Sequence, residues 1–301
     1  MRVRILVVGW SSVLHGEATA GDVLSMHAVA TALAGAGADH DLAWSAVMCP
    51  PGGLQLMDAD PLRYTHLVFV CGPLSGDIPA QLHQRFAHCR RIAVDVTVID
   101  QHSPAVTGFH VVIPRDVAGI PPRRDLAARR IQSSVPVIGV YLTDGQGEYG
   151  ERRRHAAVST TIQDYLTDSD AAAVSLDTRL DPRDWRLATS PAQVESLLVR
   201  LDGVITMRLH GLVLALKNGV PAVAVDPIVG GGKVLAQAVA WGWPAVMTAD
   251  RFDAETLHHH LQWCLSEDGR RAAAATRAEA PSAGDDQLSE LITALGARAE
   301  V

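Results

Sequence analysis

Short apolar runs, polar loops and helical stretches follow one another along the whole chain. The first run, Ile5–Val8, is followed by a loop that ends at Gly21-Asp22 and by a stretch of helix formers, Val23–Ala34. Most runs lack the polar/apolar alternation of a half-exposed strand, which is typical of parallel strands covered on both faces. The pattern therefore predicts an α/β protein with doubly wound, Rossmann-like sheets. The predicted strands are Ile5–Val8, Leu42–Met48, Leu67–Cys71, Ile92–Ile99, Val111–Ile113, Pro136–Leu142, Ala171–Leu176, Val204–Met207, Ala222–Val225 and Ala245–Thr248.

A segment rich in proline and arginine, residues 114–134, interrupts this pattern. It contains two consecutive prolines and two pairs of arginines before the next apolar run begins. Such composition is typical of a linker, and a chain of 301 residues is long enough for two cores. We predict two lobes with a cleft between them. The N-terminal lobe comprises residues 1–125, and the C-terminal lobe comprises residues 126–301 and ends in a short helix, Gln287–Arg298.

The composition excludes several classes of protein. With a net charge of −7, the chain has no general attraction to nucleic acid or anionic membranes, so an anionic substrate needs locally placed arginine or lysine. The four cysteines form no C-x-x-C pair, which argues against a structural zinc site or a disulfide framework. No apolar stretch approaches the roughly 20 residues of a membrane helix, and the first run is too short for a signal peptide. We expect a cytoplasmic protein without a nucleic-acid partner, an integral membrane segment, a metal or a cofactor.

The most informative stretch, residues 203–226, has the pattern of a strand, a polar turn, an apolar helix, a second turn and another strand. Arg208 and His210 lie just after the first strand, at the start of the helix. Open α/β sheets bind ligands at this position, and the unpaired N–H groups of a helix start attract anions. A buried arginine there needs a carboxylate or phosphate partner. Two interpretations stay open: Arg208 binds an anionic ligand beside a reactive His210, or Arg208 pairs with a structural aspartate and His210 caps the turn.

The same stretch resembles the signature of the polysaccharide pyruvyl transferases. The shared elements are the Arg-Leu-His turn at 208–210, the Ala-Leu-x-x-Gly-x-Pro turn that ends at Pro221, and Lys233 a few residues past the next strand. Gly21-Asp22 is similar to the family's amino-terminal Gly-Asp pair, and Arg115-Asp116 is similar to its central Arg-Asp/Glu element. The resemblance is specific around the first three elements and loose over the N-terminal part of the chain.

This resemblance implies two lobes similar to those of GT-B glycosyltransferases, with the acceptor on the N-terminal lobe and the donor on the C-terminal lobe. It implies transfer of the pyruvyl unit of phosphoenolpyruvate, as a ketal, to two hydroxyls of a sugar-like acceptor, either a small molecule or a lipid-linked one. Arg208 then holds the phosphate or carboxylate of the donor, which suits a guanidinium fork, and Arg115 is a second donor-holding arginine. His210 is the general acid that protonates the methylene carbon of the donor. Asp22 or Asp95 takes the hydroxyl proton.

The glycine-rich segment Gly230–Lys233 is a second candidate for phosphate contact. It departs from the P-loop pattern, which requires glycine at Pro227 and serine or threonine at Val234. Gly231 and Gly232 nevertheless present backbone N–H groups next to the Lys233 ammonium group. A phosphate-binding turn and a solvent-exposed loop with a surface lysine are both open.

A G-x-G-x-x-G pattern that contains Gly145 and Gly147 precedes a predicted helix, Glu151–Leu166. Its context resembles a dinucleotide-binding fingerprint, but glutamates flank the position of the phosphate. We therefore favour a cleft loop that contacts the substrate through Gly145 and Gly147. The run Arg152-Arg153-Arg154 either steers anions toward this loop or forms a solvated helix face.

Two further functions stay open beside pyruvyl transfer. A glycosyltransferase that uses a nucleotide sugar fits the same two-lobed fold, although the chain lacks the E-x₇-E pair of many such enzymes. A non-catalytic sensor or scaffold that kept the anion site is the third. A homo-oligomer is compatible with the sequence.

Overall fold

A computed structural model describes residues 2–13, 18–129, 134–145, 147–282 and 284–295. The chain divides into two compact units, Met1–Ser133 and Ser134–Val301, whereas the sequence placed the division between residues 125 and 126. Each unit contains one parallel β-sheet with helices between its strands. The prediction of two doubly wound α/β lobes is therefore confirmed, and the cleft between them stays a prediction.

In its described part, the first unit contains six strands and three α-helices. Its strands are β1 (Arg4–Gly9), β2 (Asp39–Trp44), β3 (Leu54–Gln55), β4 (His66–Val70), β5 (Arg90–Val98) and β6 (Val111–Val117). Its helices are α1 (Ala20–Gly35), α2 (Asp77–Arg85) and α3 (Pro104–Thr107). All strands are parallel, in the order β3-β2-β1-β4-β5-β6. Alternate residues of β1 enter two different cores, Leu6 and Val8 in one and Ile5 and Val7 in the other. Burial on both faces explains the continuous apolar runs of the sequence.

The second unit contains five strands and seven α-helices in its described part. Its strands are β7 (Val137–Tyr141), β8 (Ala172–Ser175), β9 (Gly203–Thr206), β10 (Ala222–Asp226) and β11 (Val246–Thr248). Its helices are α4 (His155–Thr167), α5 (Pro191–Leu198), α6 (Leu209–Lys217), α7 (Lys233–Ala240), α8 (Ala254–Leu265), α9 (Glu267–Glu279) and α10 (Asp285–Ala294). The strands are parallel, in the order β11-β10-β9-β7-β8. Every residue of β9 and β10 is buried. The loops that follow these two strands are therefore anchored to the core.

Two predicted helices differ from the observed ones. The helix predicted from Glu151 begins at His155, because the three preceding arginines run antiparallel to residues 227–229: the Arg154 N–H donates to the Pro227 carbonyl at 2.8 Å. The terminal helix predicted as Gln287–Arg298 is α10, which starts two residues earlier, and residues 296–301 lie outside the described part. Among the described helices, none has the length and apolar character needed to span a membrane.

Candidate functional site

Three neighbouring strands of the second sheet, β10, β9 and β7, each lead at their carboxyl end into a loop and a helix. Arg208 and His210 lie where β9 meets α6, and Lys233 is the first residue of α7, which follows β10. Because parallel strands share one carboxyl edge, these side chains belong to the same edge of the sheet, where doubly wound folds bind ligands.

The turn between β9 and α6 is fixed by Thr206. Its Oγ1 accepts a hydrogen bond from the Arg208 N–H and donates one to the Arg208 carbonyl, both at 3.0 Å. A Cβ atom on Gly211 would lie 2.2 Å from this Oγ1, so only glycine fits after the Arg-Leu-His turn. The position of Arg208, the N-cap residue of α6, is therefore set by the backbone around it.

The Arg208 guanidinium is anchored on one side. Its Nε donates to the Leu142 carbonyl at 3.0 Å, and its Nη2 lies 3.6 Å from Oδ1 of Asp177, the second residue after β8. Burial raises the pKa of Asp177, but hydrogen bonds from Arg179 and the charge of Arg208 outweigh it, so the pKa lies below its usual range. Within the described residues Nη1 of Arg208 has no partner. Arg208 thus combines a structural ion pair with a free donor edge.

His210 is the second residue of α6 and is exposed. It makes no hydrogen bond to any residue in the described part of the chain, and Thr206 closes the turn in its place. The alternative in which His210 caps the turn is therefore wrong. Leu209, between the two polar residues, is half-buried.

The backbone donors expected from Gly231 and Gly232 are already occupied. The Gly232 N–H donates to Oδ2 of Asp226 at 2.8 Å, and the Gly231 N–H donates to the Ile228 carbonyl. Asp226 is buried and also accepts from the Leu235 N–H at 2.8 Å, so its carboxylate is the anion at the start of α7. The interpretation of this turn as a backbone phosphate cradle is not supported, because a phosphate would have to displace Asp226.

Lys233 is the exposed cation of this loop. Its Nζ lies 4.0 Å from Oε1 of Glu148, and its side chain keeps 44% of its surface exposed. The loop before it is tied to the segment that precedes α4, because Arg152 donates from Nη2 to the Val229 carbonyl at 2.9 Å and to the Gly231 carbonyl at 2.7 Å. The backbone at Lys233 is therefore fixed by the turn, and the ion pair of its side chain with Glu148 is weak.

Gly145 and Gly147 lie in an exposed loop that does not have the dinucleotide geometry. Gly147 begins a short 3₁₀ segment, Gly147–Arg152, and α4 starts only after the three arginines. Gln146, inside the motif, is outside the described residues. The arginines do not form a solvated helix face either: Arg153 donates from Nη2 to the carbonyls of Asp144 and Gly145, at 2.7 and 3.1 Å.

His155, the first residue of α4, is a site feature that the sequence did not single out. It is only 4% exposed, and neither ring nitrogen has a hydrogen-bond partner in the described structure; the same holds for the buried Nε of Arg153. Burial and the charge of Arg153 lower the pKa of His155, against a smaller upward effect of nearby acids, Asp226 among them. Its spacing from the buried Val158 and Ile162 is the signal that places it on the inner face of the helix.

In the first unit, Asp22 has a structural function. Its Oδ2 accepts hydrogen bonds from the Thr19 N–H at 2.8 Å and from Thr19 Oγ1 at 2.7 Å, and its own N–H donates to Thr19 Oγ1. This is a reciprocal capping box at the start of α1. The Gly-Asp pair of the sequence thus starts a helix, and the buried Asp22 carboxylate is held by that function.

Arg115, on β6, is paired with two carboxylates. Its Nε donates to Asp116 at 2.9 Å, its Nη1 donates to Asp125, and its Nη2 donates to Thr97 Oγ1 at 2.8 Å. These partners neutralise the guanidinium charge and raise its pKa, with the hydrogen bond to Asp116 the largest contribution. An anionic donor at Arg115 would have to displace at least one of them.

Asp95 and Cys71 lie close to the point where the strand order of the first sheet reverses, between β1 and β4. Both have the left-handed backbone that non-glycine residues rarely adopt, with φ of 62° and 65°. Asp95 is buried and accepts from Ser25 Oγ and the Leu126 N–H, and burial raises its pKa. Burial, helped by the charge of Asp22, raises the pKa of the Cys71 thiol to about 11.

Ligand atoms of Cys71, Asp95 and Asp125 lie within 4.8 Å of one another. Nη1 of Arg115 contacts both Asp125 and Cys71 Sγ, the latter at 3.8 Å. A cation at this point would meet a guanidinium group and a protonated thiol, so the chemistry of the cluster does not favour a metal ion.

Comparison with known proteins agrees with the resemblance over part of the second unit. Residues 151–227 match the model of the family "Polysaccharide pyruvyl transferase". This segment includes Arg208 and His210, and it supports a transferase function. No curated protein matches the chain.

Solved structures similar to the chain include three glycosyltransferases. They are the spinosyn forosaminyltransferase SpnP (12% identity, 97% of this chain and 100% of that chain covered, TM-score 0.36), the glycotransferase of kitacinnamycin (13%, 97% and 98%, 0.37) and MurG of Acinetobacter baumannii (13%, 97% and 99%, 0.35). Because these TM-scores are below 0.5, the assignment of the fold is based on the two observed sheets and not on these neighbours.

Proposed function

We propose, from the match of residues 151–227 to the polysaccharide pyruvyl transferases, that the chain transfers the pyruvyl unit of phosphoenolpyruvate to a sugar-like acceptor as a ketal. The observation that carries the proposal is the state of Arg208. Its guanidinium is positioned by Leu142 and Asp177, and its Nη1 has no partner among the residues that the structure describes. An arginine fixed in this way binds a carboxylate or phosphate with little loss of side-chain entropy.

His210 is suited to the proton transfer that begins the reaction. Its exposed ring makes no bond to the described part of the protein, so it is free to donate a proton to the methylene carbon of the donor. Protonation turns that carbon into a methyl group and makes the neighbouring carbon electrophilic. Two acceptor hydroxyls add to this carbon, the bond from it to the phosphate oxygen breaks, and phosphate leaves. Of the two hydroxyl protons, one leaves with the phosphate. The other is taken up by a carboxylate base on the acceptor side and returned to His210 by way of solvent before the next turnover.

Lys233 completes the donor side of the proposal. Lys233 begins α7, the helix that follows β10, and β10 pairs with the strand that leads to Arg208. The contact of its ammonium group with Glu148 is long. A multiply charged donor competes easily with such an exposed ion pair, which contributes little to stability. We assign Lys233 to the leaving phosphate.

The acceptor side is assigned to the first unit, and Asp95 is preferred to Asp22 as the acceptor of the hydroxyl proton. The Asp22 carboxylate is committed to the start of α1. The Asp95 carboxylate belongs to a left-handed residue of β5 and accepts from Ser25 of α1, and its raised pKa suits a general base.

Calorimetric titration of the whole chain with phosphoenolpyruvate, nucleotide sugars and NAD tests the donor. We expect phosphoenolpyruvate to bind, with a salt-dependent affinity because the contacts are ionic. The matched control is Lys217→Ala beside Lys233→Ala. Lys217 also pairs with a glutamate, is 49% exposed and lies at the opposite end of α6. Only the Lys233 variant should weaken binding. A nucleotide sugar that binds while phosphoenolpyruvate does not would instead support the glycosyltransferase alternative.

A further inference from the structure

In the first unit, one serine hydroxyl lies between two carboxylates. Ser25 of α1 is fully buried, and its Oγ is 3.2 Å from Oδ2 of Asp95 and 3.2 Å from Oδ1 of Asp125. A hydroxyl carries one proton, so it donates to one of these carboxylates at a time. When both carboxylates are ionised, one of the two contacts is therefore between oxygens that have no proton between them.

Asp125 is the carboxylate of this pair that stays ionised. Its Oδ2 accepts a hydrogen bond from Nη1 of Arg115, and its Oδ1 accepts one from the Ala127 N–H at 2.8 Å. Burial raises the pKa of Asp125, but the hydrogen bonds from Ala127 and Arg115 outweigh it, so the pKa lies below its usual range. A single proton that enters the pair therefore goes to Asp95.

Asp95 is the carboxylate that is able to change its protonation. Its hydrogen bonds from Ser25 Oγ and from the Leu126 N–H both reach Oδ2. Its Oδ1 accepts no hydrogen bond from any residue that the structure describes, so this oxygen is available to a proton from a ligand. With a proton on Oδ1, Oδ2 still accepts from Leu126, and the Ser25 hydroxyl is released to donate to Asp125.

The charges around Asp95 favour its protonated form. Burial raises its pKa, the negative charge of Asp125 adds to this effect, and the positive charge of Arg115 acts in the opposite direction. The Cys71 thiol, whose pKa is raised to about 11, is neutral near pH 7 and adds no charge. The ionisable groups near Asp95 in the described structure are Asp125, Arg115, Cys71 and, beside the thiol, Asp22.

We propose, on the basis of the proposed function, that Asp125 and Ser25 are positioning residues that make Asp95 a stronger base. As the oxygen of an acceptor hydroxyl bonds to the electrophilic carbon of the donor, the hydroxyl proton moves to Oδ1 of Asp95. The Asp95 carboxyl group becomes neutral, its repulsion with Asp125 ends, and the Ser25 hydroxyl donates to Asp125. Because proton uptake relieves a repulsion between two fixed carboxylates, the pair favours removal of the hydroxyl proton.

A carbon-13 NMR titration of the aspartate carboxyl groups in the whole chain tests the pair without any substrate. The Asp95 signal is identified by its loss in Asp95→Asn. Asp125→Asn should lower the pKa of Asp95, because it removes the negative charge on the other side of Ser25. Asp116→Asn is the matched control: it also removes a carboxylate partner of Arg115, but it makes no contact with Ser25, so it should lower the pKa of Asp95 less. Equal pKa values of Asp95 in the wild type and in Asp125→Asn overturn the proposal.

Ser25→Ala keeps both carboxylates and guards against loss of the fold in Asp125→Asn. A shared hydroxyl stabilises the pair in both protonation states, so its removal should leave the pKa of Asp95 close to the wild-type value. A hydroxyl that served Asp95 alone would stabilise only the ionised form. A clear rise in the pKa of Asp95 in Ser25→Ala therefore contradicts the sharing of the hydroxyl.

The pH dependence of kcat for phosphate release links the pair to the reaction. Turnover falls at low pH as Asp95 takes up a proton, so a lower pKa of Asp95 moves this fall to lower pH. Asp125→Asn should show this displacement with an unchanged KM for phosphoenolpyruvate, and Asp116→Asn should show less of it. An unchanged profile despite a lowered pKa removes Asp95 from the reaction and overturns the proposal. A lowered pKa in a chain that releases no phosphate contradicts pyruvyl transfer and not the carboxylate pair.

Discussion

At the scale of single residues, Arg208 serves two partners at once. Asp177 and Leu142 hold one side of its guanidinium, and the other side faces the carboxyl edge of the sheet. The sequence located this residue because an arginine directly after a buried strand needs an anionic partner. It did not identify Asp177, which lies in a loop after a different strand and comes close only through the pairing of β7 with β8 and β9.

Replacement of Arg208 tests the donor contact. Arg208→Ala should weaken phosphoenolpyruvate binding by about 2 kcal/mol, or roughly thirtyfold, because a charge-assisted hydrogen bond is lost. Arg208→Lys should recover only part of the affinity, because a lysine lacks the planar fork. Calorimetry at fixed ionic strength measures both. Equal affinity in wild type and Arg208→Ala would mean that this arginine serves the fold through Asp177 and Leu142 and does not bind the donor.

His210 is expected to act in the chemical step and not in folding. His210→Gln should reduce turnover by roughly 10²–10⁴, the usual range for general acid catalysis, while donor affinity changes little. Since the ring is exposed and unbonded to the described residues, the melting temperature should stay within about 1 °C, as for surface substitutions. A large loss of melting temperature with turnover retained would assign His210 to folding.

The lowered pKa of His155 predicts that the free energy of unfolding decreases at acid pH. Its pKa in the folded state lies below the ordinary value of 6.5. As the pH falls from 6.5 toward that lower value, the unfolded chain takes up a proton that the folded chain refuses, so the free energy of unfolding decreases. His83 and His260 have lowered pKa values as well, and a difference between variants isolates the contribution of His155.

Denaturant unfolding from pH 7.5 to pH 5 measures this contribution. His155→Gln cannot take up the proton, so its stability should fall less steeply with pH than that of the wild type. His102→Gln, the same change at an exposed histidine, is the matched control for the substitution itself. Identical slopes for wild type and His155→Gln would show that this ring titrates normally in the folded protein.

At the scale of elements, the Asp226 carboxylate occupies the place at the start of α7 where a bound anion would accept hydrogen bonds. Asp226 accepts hydrogen bonds from the Ile228, Gly232 and Leu235 N–H groups. Asp226→Ala leaves these donors unpaired and should cost about 1–3 kcal/mol. Asp250→Ala, which removes a single exposed acceptor for Gly230, should cost less. If the turn served a phosphate, Asp226→Ala would instead keep its stability and bind phosphate more tightly.

The sequence predicted the strands of both units better than the helix starts. Continuous apolar runs mark buried parallel strands, and this signal is local. The start of α4 depends on pairing between residues 152–154 and 227–229, which are far apart in the chain. The occupied amides of Gly231 and Gly232 depend on a turn that passes through left-handed glycines, with φ of 73° at Gly230 and 87° at Gly231. Neither contact can be predicted from the sequence of the residues next to it in the chain.

At the scale of the whole molecule, the described part of the chain contains one strand order twice, with six strands in the first unit and five in the second. The sequence predicted the two doubly wound units because strands and helices alternate throughout. It did not predict the sixth strand of the first unit, since β3 has only two residues and forms no apolar run.

A transfer assay shows whether phosphoenolpyruvate is the donor. The whole chain is incubated with phosphoenolpyruvate, or with a mixture of nucleotide sugars, and a panel of glycosides that carry pairs of neighbouring hydroxyls. Phosphate release and the mass of the products are measured for the wild type and for His210→Gln. We predict that phosphate release accompanies addition of a carboxyethylidene ketal to a glycoside, and that both fall together in the variant. Transfer of a sugar from a nucleotide sugar to the same panel, with phosphoenolpyruvate left intact, would instead identify the chain as a glycosyltransferase.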